Sequence, residues 1–411
     1  MPHAPIVLTP EHLCDPALAI AAVRAGGLGL LDLGFSAPHE VRRRALAQLA
    51  RFSGPDRERW GARWNTWGLA GRMPEVLEGL VDRRLPFLLV AGAPADRAAD
   101  VLRQGRRLAA RVLLEVYDGA GARAAAAHGF DGIVLAGNEA GGRVGRASAF
   151  LLLQGVREGL DVPFWIRGAF GPETAAAALL AGAEGVALAE ELWLAREAPF
   201  DAADRARFTA LDGSETLCLG EGHERVRLFA QADRAGLRDL AQHGGEAGAP
   251  WREALLARWR EAPPGGGGPL PLGQGVGLAA DLARRYGTVG RILEAFATTA
   301  RHHLEIAPGQ RALAPDAPLA AEIGIRTPIV QGPMTRVSDT PAFALAVAEH
   351  GALPFLALAL LRGAEAKRLL VATRRALGDR PWGVGLLGFI PAALRDEQMQ
   401  AISEVGPGFG I

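Results

Sequence analysis

Over the first 195 residues, short apolar runs alternate with amphipathic, Ala- and Arg-rich stretches. The runs are Pro5–Pro10, Gly27–Gly34, Trp60–Asn65, Pro86–Gly92, Arg111–Asp118, Gly132–Asn138, Pro163–Gly168 and Gly185–Glu190. Each ends in a Gly, a Pro or a polar residue. Between them lie helical patterns such as Pro16–Ala25, Ala98–Ala110 and Pro172–Ala181. Continuous apolar runs suit strands buried on both faces. Regular alternation with helices predicts a parallel sheet. About eight such units match the count of a closed (β/α)₈ barrel, and that count favours it over a doubly wound open sheet.

The rhythm changes after Ala195. Residues 199–262 carry helix-like stretches at Leu237–Gln242 and Trp251–Glu261 and a strand-like piece at Val226–Phe229, an expected added subdomain. A Gly/Pro loop follows at 263–272, then a helical stretch, Leu278–His303. The first domain is therefore expected to span 1–305, with a Pro/Ala-rich linker at 306–318.

The pattern then restarts. "TPIVQGPM…TPAFALAVAEHGALPFLALAL" (Thr327–Leu360) parallels "APIVLTP…DPALAIAAVRAGGLGLLDLG" (Ala4–Gly34). "DRPWGVGLLGF" (Asp379–Phe389) parallels "RERWGARWNTW" (Arg57–Trp67). A period above 300 residues indicates a duplicated domain, not a solenoid. About three strand signals precede Ile411, too few to close a barrel. Residues 319–411 are thus expected to be the N-terminal part of a second copy, in a fragment of a longer polypeptide.

Composition narrows the function. Lys plus Arg number 45, as do Asp plus Glu, so no global field draws nucleic acid or an anionic membrane. The two cysteines, Cys14 and Cys218, make a disulfide framework improbable and favour a cytoplasmic location. No His/Cys/carboxylate spacing suggests a metal.

In a βα barrel the loops after the strands carry the chemistry. "GNEAGGRVG" (Gly137–Gly145) follows the sixth strand. Gly141 and Gly142 would let backbone N–H groups approach a ligand closely, and Glu139 and Arg143 could orient one. A glycine-rich turn with a local Glu–Arg pair accounts for the string equally well. "RGAFGPET" (Arg167–Thr174) follows the seventh strand and opens a helix. Gly168 and Gly171 suit a phosphate loop there. Glu190 and Glu191 follow the eighth strand and would repel a phosphate. "GQGVG" at Gly273 lacks the strand context of a dinucleotide fingerprint.

In order and spacing these motifs resemble the nitronate monooxygenase (2-nitropropane dioxygenase-like) family of FMN-dependent TIM barrels. "PIVQGPM" is similar to the family's opening strand and Pro-Met pair, "GNEAGGRVG" to its G-x-E-A-G-G-H-x-G loop. "PFWIRGAF", "GAEGVALAE" and the pair Gly273–Gln274 follow in family order. The resemblance implies FMN as cofactor, and a site at Glu139, Gly141, Gly142, Arg143, Gly168, Gly171 and Gln274. In the second copy it implies Gln331, Gly332, Pro333 and Met334. The duplication resembles the N-terminal region of large type I polyketide synthase or polyunsaturated-fatty-acid-synthase-like proteins. It implies the rest of a multidomain synthase as partner and a small-molecule or acyl substrate.

The departures bear on activity. The family's catalytic His position holds Arg143, and its Pro-Met position in the first copy reads "LTPEH" (Leu8–His12). An expected asparagine aligns with Arg63. The second phosphate glycine is Ala169, and the Gly-Thr after the eighth strand is Ala189–Glu190. A guanidinium stays protonated, so Arg143 cannot be a general base, although it can stabilise an anion. Two expectations follow: an FMN-dependent oxidoreductase-like region (monooxygenase- or enoyl reductase-like) whose first copy is impaired, or a degenerate barrel with a structural or docking role.

Overall fold

The computed structural model describes residues 4–34, 37–53, 58–66, 75–79, 84–93, 95–156, 159–222, 225–229, 253–258 and 269–411. The chain divides into two compact units, Met1–Glu305 and Ile306–Ile411.

In the first unit, eight parallel strands close into a barrel. They are β1 (Ile6–Leu8), β2 (Leu28–Asp32), β3 (Trp60–Asn65), β4 (Leu85–Ala91), β5 (Ala109–Val116), β6 (Gly132–Ala136), β8 (Phe164–Arg167) and β9 (Gly185–Leu188). All eight predicted runs supply a strand. Closure comes from β1 pairing with β9, Ile6 opposite Ala187 and Val7 opposite Leu188. A barrel has no open edge, so strands this apolar present no template for aggregation.

Alternation along the strands sorts the side chains. Val7, Leu31, Ala62, Leu88, Ile133 and Val186 face the surrounding helices. Ile6, Leu8, Leu28, Leu30, Leu89, Leu113, Val134 and Ala187 fill the barrel. One step further along the same inward rows, the filling becomes charged: Asp32, Glu115 and Arg167 lie two positions beyond Leu30, Leu113 and Trp165.

The two-residue strand β7 (Gly142–Arg143) lies outside the barrel. It pairs antiparallel with β11 (Val226–Leu228), which pairs with β10 (Leu217–Leu219). The strand expected at Val226–Phe229 is therefore present and is tied to the glycine-rich loop. Leu237–Gln242 and residues 263–268 lie outside the described residues. Of the predicted helix Trp251–Glu261, residues 253–258 are described and helical. The helix expected at Leu278–His303 is two helices, Val276–Tyr286 and Val289–Gln310. Gly287 breaks it, at φ +75°. The second helix continues through Pro308, so the expected linker begins as helix.

The second unit is a four-stranded parallel sheet in sequential order, β12 (Val330–Gln331), β13 (Leu353–Ala357), β14 (Gly383–Gly385) and β15 (Phe409–Gly410). Helices Pro341–Glu349, Gly363–Leu377 and Ala392–Val405 connect the strands. Leu356, Leu358, Leu370, Leu377, Trp382, Val384 and Ala401 form its core. The β13–β14 register, Phe355 opposite Gly383 and Ala357 opposite Gly385, repeats that of β2–β3, Leu30 opposite Gly61 and Asp32 opposite Arg63. The first strand pair is offset by one residue between the units.

Candidate functional site

The C-terminal ends of the barrel strands bring most of the predicted first-unit residues together, around charges that are buried. Arg63 on β3 is the hub. Its guanidinium lies 2.6 Å from Glu11, 2.9 Å from Asp32 and 3.0 Å from Glu115. Arg167 on β8 reaches Glu190 at 3.2 Å, Glu115 at 3.5 Å and Glu11 at 3.9 Å. Asn65 donates to Glu11 at 3.3 Å, and the Tyr117 hydroxyl donates to Glu115 at 3.4 Å. Every one of these charged side chains is buried.

Burial opposes the charge on Arg63, but Glu11, Glu115 and Asp32 outweigh it and hold the pKa well above the ordinary value. Arg167 is raised in the same way, by Glu190 and Glu115 against its burial. Four carboxylates, Glu11, Asp32, Glu115 and Glu190, contact these two guanidinium groups, and Glu191 follows Glu190 in the turn after β9. Burial pushes Asp32 up to about 7, with Glu11 adding to the rise and Arg63 opposing it. Burial and the charge of Glu190 push Glu191 up to about 7. Burial also raises the Tyr117 phenol, with Glu115 reinforcing the effect.

The glycine loops wrap this cluster. Glu190 opens a short turn after β9. Its Oε1 accepts from the Gly141 N–H at 2.9 Å and the Gly273 N–H at 3.0 Å. A side chain at Gly141 would collide with that oxygen. Gly142, at φ +76°, leaves 2.7 Å between its would-be Cβ and Glu11 Oε1. A side chain at Gly275 would strike Glu191. The glycines thus permit the predicted close approach, and what approaches is carboxylate from this same chain.

The Glu139 carboxylate accepts from the Ala149 N–H at 2.9 Å and so caps the helix Ala149–Val156. Arg143 lies buried with its guanidinium 4.7 Å from the Tyr117 ring centre, a cation–π contact. Gly168, at φ +147°, sits beside Ala149 and Glu139. Gly171 starts the helix Pro172–Leu180, and its N–H is already given to Thr174 Oγ1 at 2.9 Å. Ala169 holds φ +55°, a left-handed conformation suited to glycine. The Gln274 N–H donates to Glu139 O at 2.8 Å, which locks the late Gly-Gln pair onto the GNEAGG loop.

Gln331, Gly332, Pro333 and Met334 belong to the second unit and are described apart. Gln331 accepts from the Phe355 N–H at 3.2 Å and donates to the Gly332 carbonyl. Pro333 fills the space where a side chain at Gly385 would be. The Met334 N–H donates to Ser338 Oγ at 2.7 Å, and its side chain is exposed.

Asp32, Glu115 and Arg167 were not singled out as a site from the sequence, nor was Glu11. The signal was present as single charges near the ends of otherwise apolar runs. Among the described residues, no helix is long and apolar enough to cross a membrane. A cavity of about 850 Å³ lies at the opposite end of the barrel, lined by Pro5, Gly27, Gly185, Leu293 and Phe296, away from these charges.

Residues 87–220 match the family model of nitronate monooxygenase. No curated protein matches the sequence. The chain is similar in structure to FabK from Thermotoga maritima, with TM-score 0.61 and 21% identity over 75% of this chain and 96% of that one. It is similar to nitroalkane oxidase from Streptomyces ansochromogenes, with TM-score 0.55 and 22% identity over 74% and 98%. It is also similar to the enoyl reductase domain of MlnA from the macrolactin biosynthesis cluster of Bacillus amyloliquefaciens, with TM-score 0.51 and 11% identity over 74% and 96%. At these identities the structures establish a shared fold. The family match implies a flavin cofactor. The first unit does not fit one as it stands, because in the expected glycine loops the Gly141 and Gly273 N–H groups are given to Glu190, and in the phosphate loop the Gly171 N–H is given to Thr174.

Proposed function

We propose that the first barrel is a nitronate monooxygenase-like barrel that has lost its flavin and serves a structural or docking role. We further read residues 319–411 as the start of a second barrel of the same kind, in an oxidoreductase region of a larger synthase. One observation carries the reading: Glu190, buried and paired with Arg167, takes the Gly141 and Gly273 N–H groups of the glycine loops where the family resemblance places the cofactor. The Arg63 cluster supports it, since three carboxylates and a guanidinium fill the inner end of the barrel mouth. A flavin ring and phosphate would have to displace paired, desolvated charges, and breaking a buried pair costs several kcal/mol. Arg143 in place of a base points the same way. The second unit carries none of those charges at Gln331–Met334, which keeps the flavin-lining motif there.

The test is FMN titration of the full chain by flavin fluorescence quenching, with the visible spectrum of the purified protein beside it. The expected result is no bound flavin and no saturable quenching at micromolar FMN. Micromolar binding that survives Met334→Ala with Pro333→Ala would put the flavin in the first barrel and overturn the proposal. It would return Arg143 to the role of an anion-stabilising residue.

A further inference from the structure

We infer that Gly141, Gly273 and Arg167 form an oxyanion seat, and that Glu190 is a tethered ligand holding it shut. The inference deepens the reading of a closed barrel mouth, but its test involves no flavin. A single oxygen, Glu190 Oε1, receives three donors: Gly141 N–H at 2.9 Å, Gly273 N–H at 3.0 Å and Arg167 Nη2 at 3.2 Å. Two backbone N–H groups and one guanidinium converging on one point are the recurring makeup of carboxylate and phosphate sites.

The seat is built by the fold, not by Glu190. Its two N–H groups come from loops more than 130 residues apart in sequence. The loops are clasped independently of the carboxylate, by the Gln274 N–H on the Glu139 carbonyl at 2.8 Å. Each glycine is needed for the approach, since a side chain at Gly273 would run into the Gly141 backbone. Arg167 is held from its other side by Glu115 and Glu11. Glu190 is delivered by a turn whose own backbone bonds, Leu192 N–H to Ala189 O and Trp193 N–H to Glu190 O, fix its position. Removing the carboxylate should therefore leave a preformed, buried seat with two unsatisfied N–H donors and a guanidinium. A small oxyanion of matching chemistry, formate or inorganic phosphate, should refill it.

The experiment uses the full chain and the Glu190→Gly variant. Thermal unfolding is followed by tryptophan fluorescence in formate, phosphate or chloride at equal ionic strength. Glu190→Gly is expected to melt below wild type. Formate and phosphate, but not chloride, should restore several degrees in a saturable manner. Wild type should not respond, and Glu190→Gly with Arg167→Met should lose the response. If Glu190→Gly does not stay soluble, the comparison moves to refolding yield, where recovery in formate but not in chloride supports the seat. A folded Glu190→Gly that treats formate as it treats chloride would overturn the inference. So would a variant that fails to refold in every anion.

Discussion

The two units begin with a similar strand–helix pattern but carry different chemistry. In the gap-free parallel of "APIVLTPE" with "TPIVQGPM", Glu11 corresponds to Met334. In "GGLGLLDLG" with "GALPFLALA", Asp32 corresponds to Ala357. In "WGARW" with "WGVGL", Arg63 corresponds to Gly385. Three of the four residues of the first unit's innermost ion cluster have uncharged counterparts in the second. The strand register at Asp32–Arg63 and Ala357–Gly385 is the same, so at those two positions the difference is chemical and not a slip of pairing, whereas the strand before Glu11 and Met334 is offset by one residue. Where Arg63 projects into the barrel, Gly385 leaves room that Pro333 fills. The lesson is that this cluster behaves as one set. A single charge of it set at Ala357 or Gly385 in the apolar version would be buried without a partner, whereas the Met334 position is exposed.

That view makes the largest prediction. Arg63→Ala leaves Glu11, Asp32 and Glu115 crowded in a buried space, and should cost the first unit about 3–5 kcal/mol. Replacing the set with the second unit's chemistry, Glu11→Met with Asp32→Ala and Arg63→Ala, should cost less than Arg63→Ala alone. Glu115 then still has Arg167 at 3.5 Å. Urea unfolding followed by hydrogen exchange in first-unit peptides decides it. A triple variant as unstable as the sum of its single changes would break the comparison.

The next effect is an acid one, and it is confined to the first unit. Burial and the nearby charge of Arg207 lower His12 to about 4. Its ring lies against Trp193 and Phe200. The folded state therefore takes up its proton later than the unfolded chain does. The neutral ring's contribution is complete above about pH 6.5 and is lost as pH falls through about 4. The loss is on the order of 3 kcal/mol. His12→Gln should flatten that part of the stability profile, and an unchanged profile would refute the assignment.

The opposite slope belongs to Glu191, pushed up to about 7 by burial and by Glu190. A raised carboxylate stabilises the fold below its unfolded pKa and loses that contribution as pH rises through about 7. At pH 8 Glu191→Gln should be more stable than wild type by on the order of 2 kcal/mol. At pH 5 the gap should shrink, and a gap that does not change with pH would show that Glu191 is not the titrating group.

The barrel was legible because each strand announces itself locally, as an apolar run closed by Gly, Pro or a polar residue. The ion cluster was legible only as separate letters. Asp32, Arg63, Glu115 and Arg167 each end an apolar run with a charge on the inward row, but their pairing crosses β2, β3, β5 and β8, and no local pattern encodes it. Glu190 was recognised as a misfit for phosphate. That it would take the glycine N–H groups itself depends on Gly273 arriving from more than 80 residues away. The side sheet was hidden for a similar reason, because β7 is two residues long and finds β11 across the chain. Glu139 was legible as an acid in the loop after β6, but its cap on the helix that starts at Ala149 was not, because the two are ten residues apart.

The smallest prediction turns on one backbone angle that the two units share. Gly34 at the end of the second strand has φ +66°, and its counterpart in the parallel, Ala359, has φ +47°. Both turns use the left-handed region, where a Cβ costs roughly 1 kcal/mol. Ala359→Gly should therefore stabilise the second unit by somewhat less than that, because glycine also gains freedom in the unfolded chain. Gly34→Ala should do more harm than the reversed sign of that change. Its new methyl would lie 3.3 Å from Ala37 Cβ and 3.5 Å from Cys14 Cβ, so crowding adds to the strain. Unit-resolved hydrogen exchange measures both. If Ala359→Gly destabilises the second unit, the turn is held by contacts of the alanine methyl, and the correspondence of the two strand ends fails at this residue.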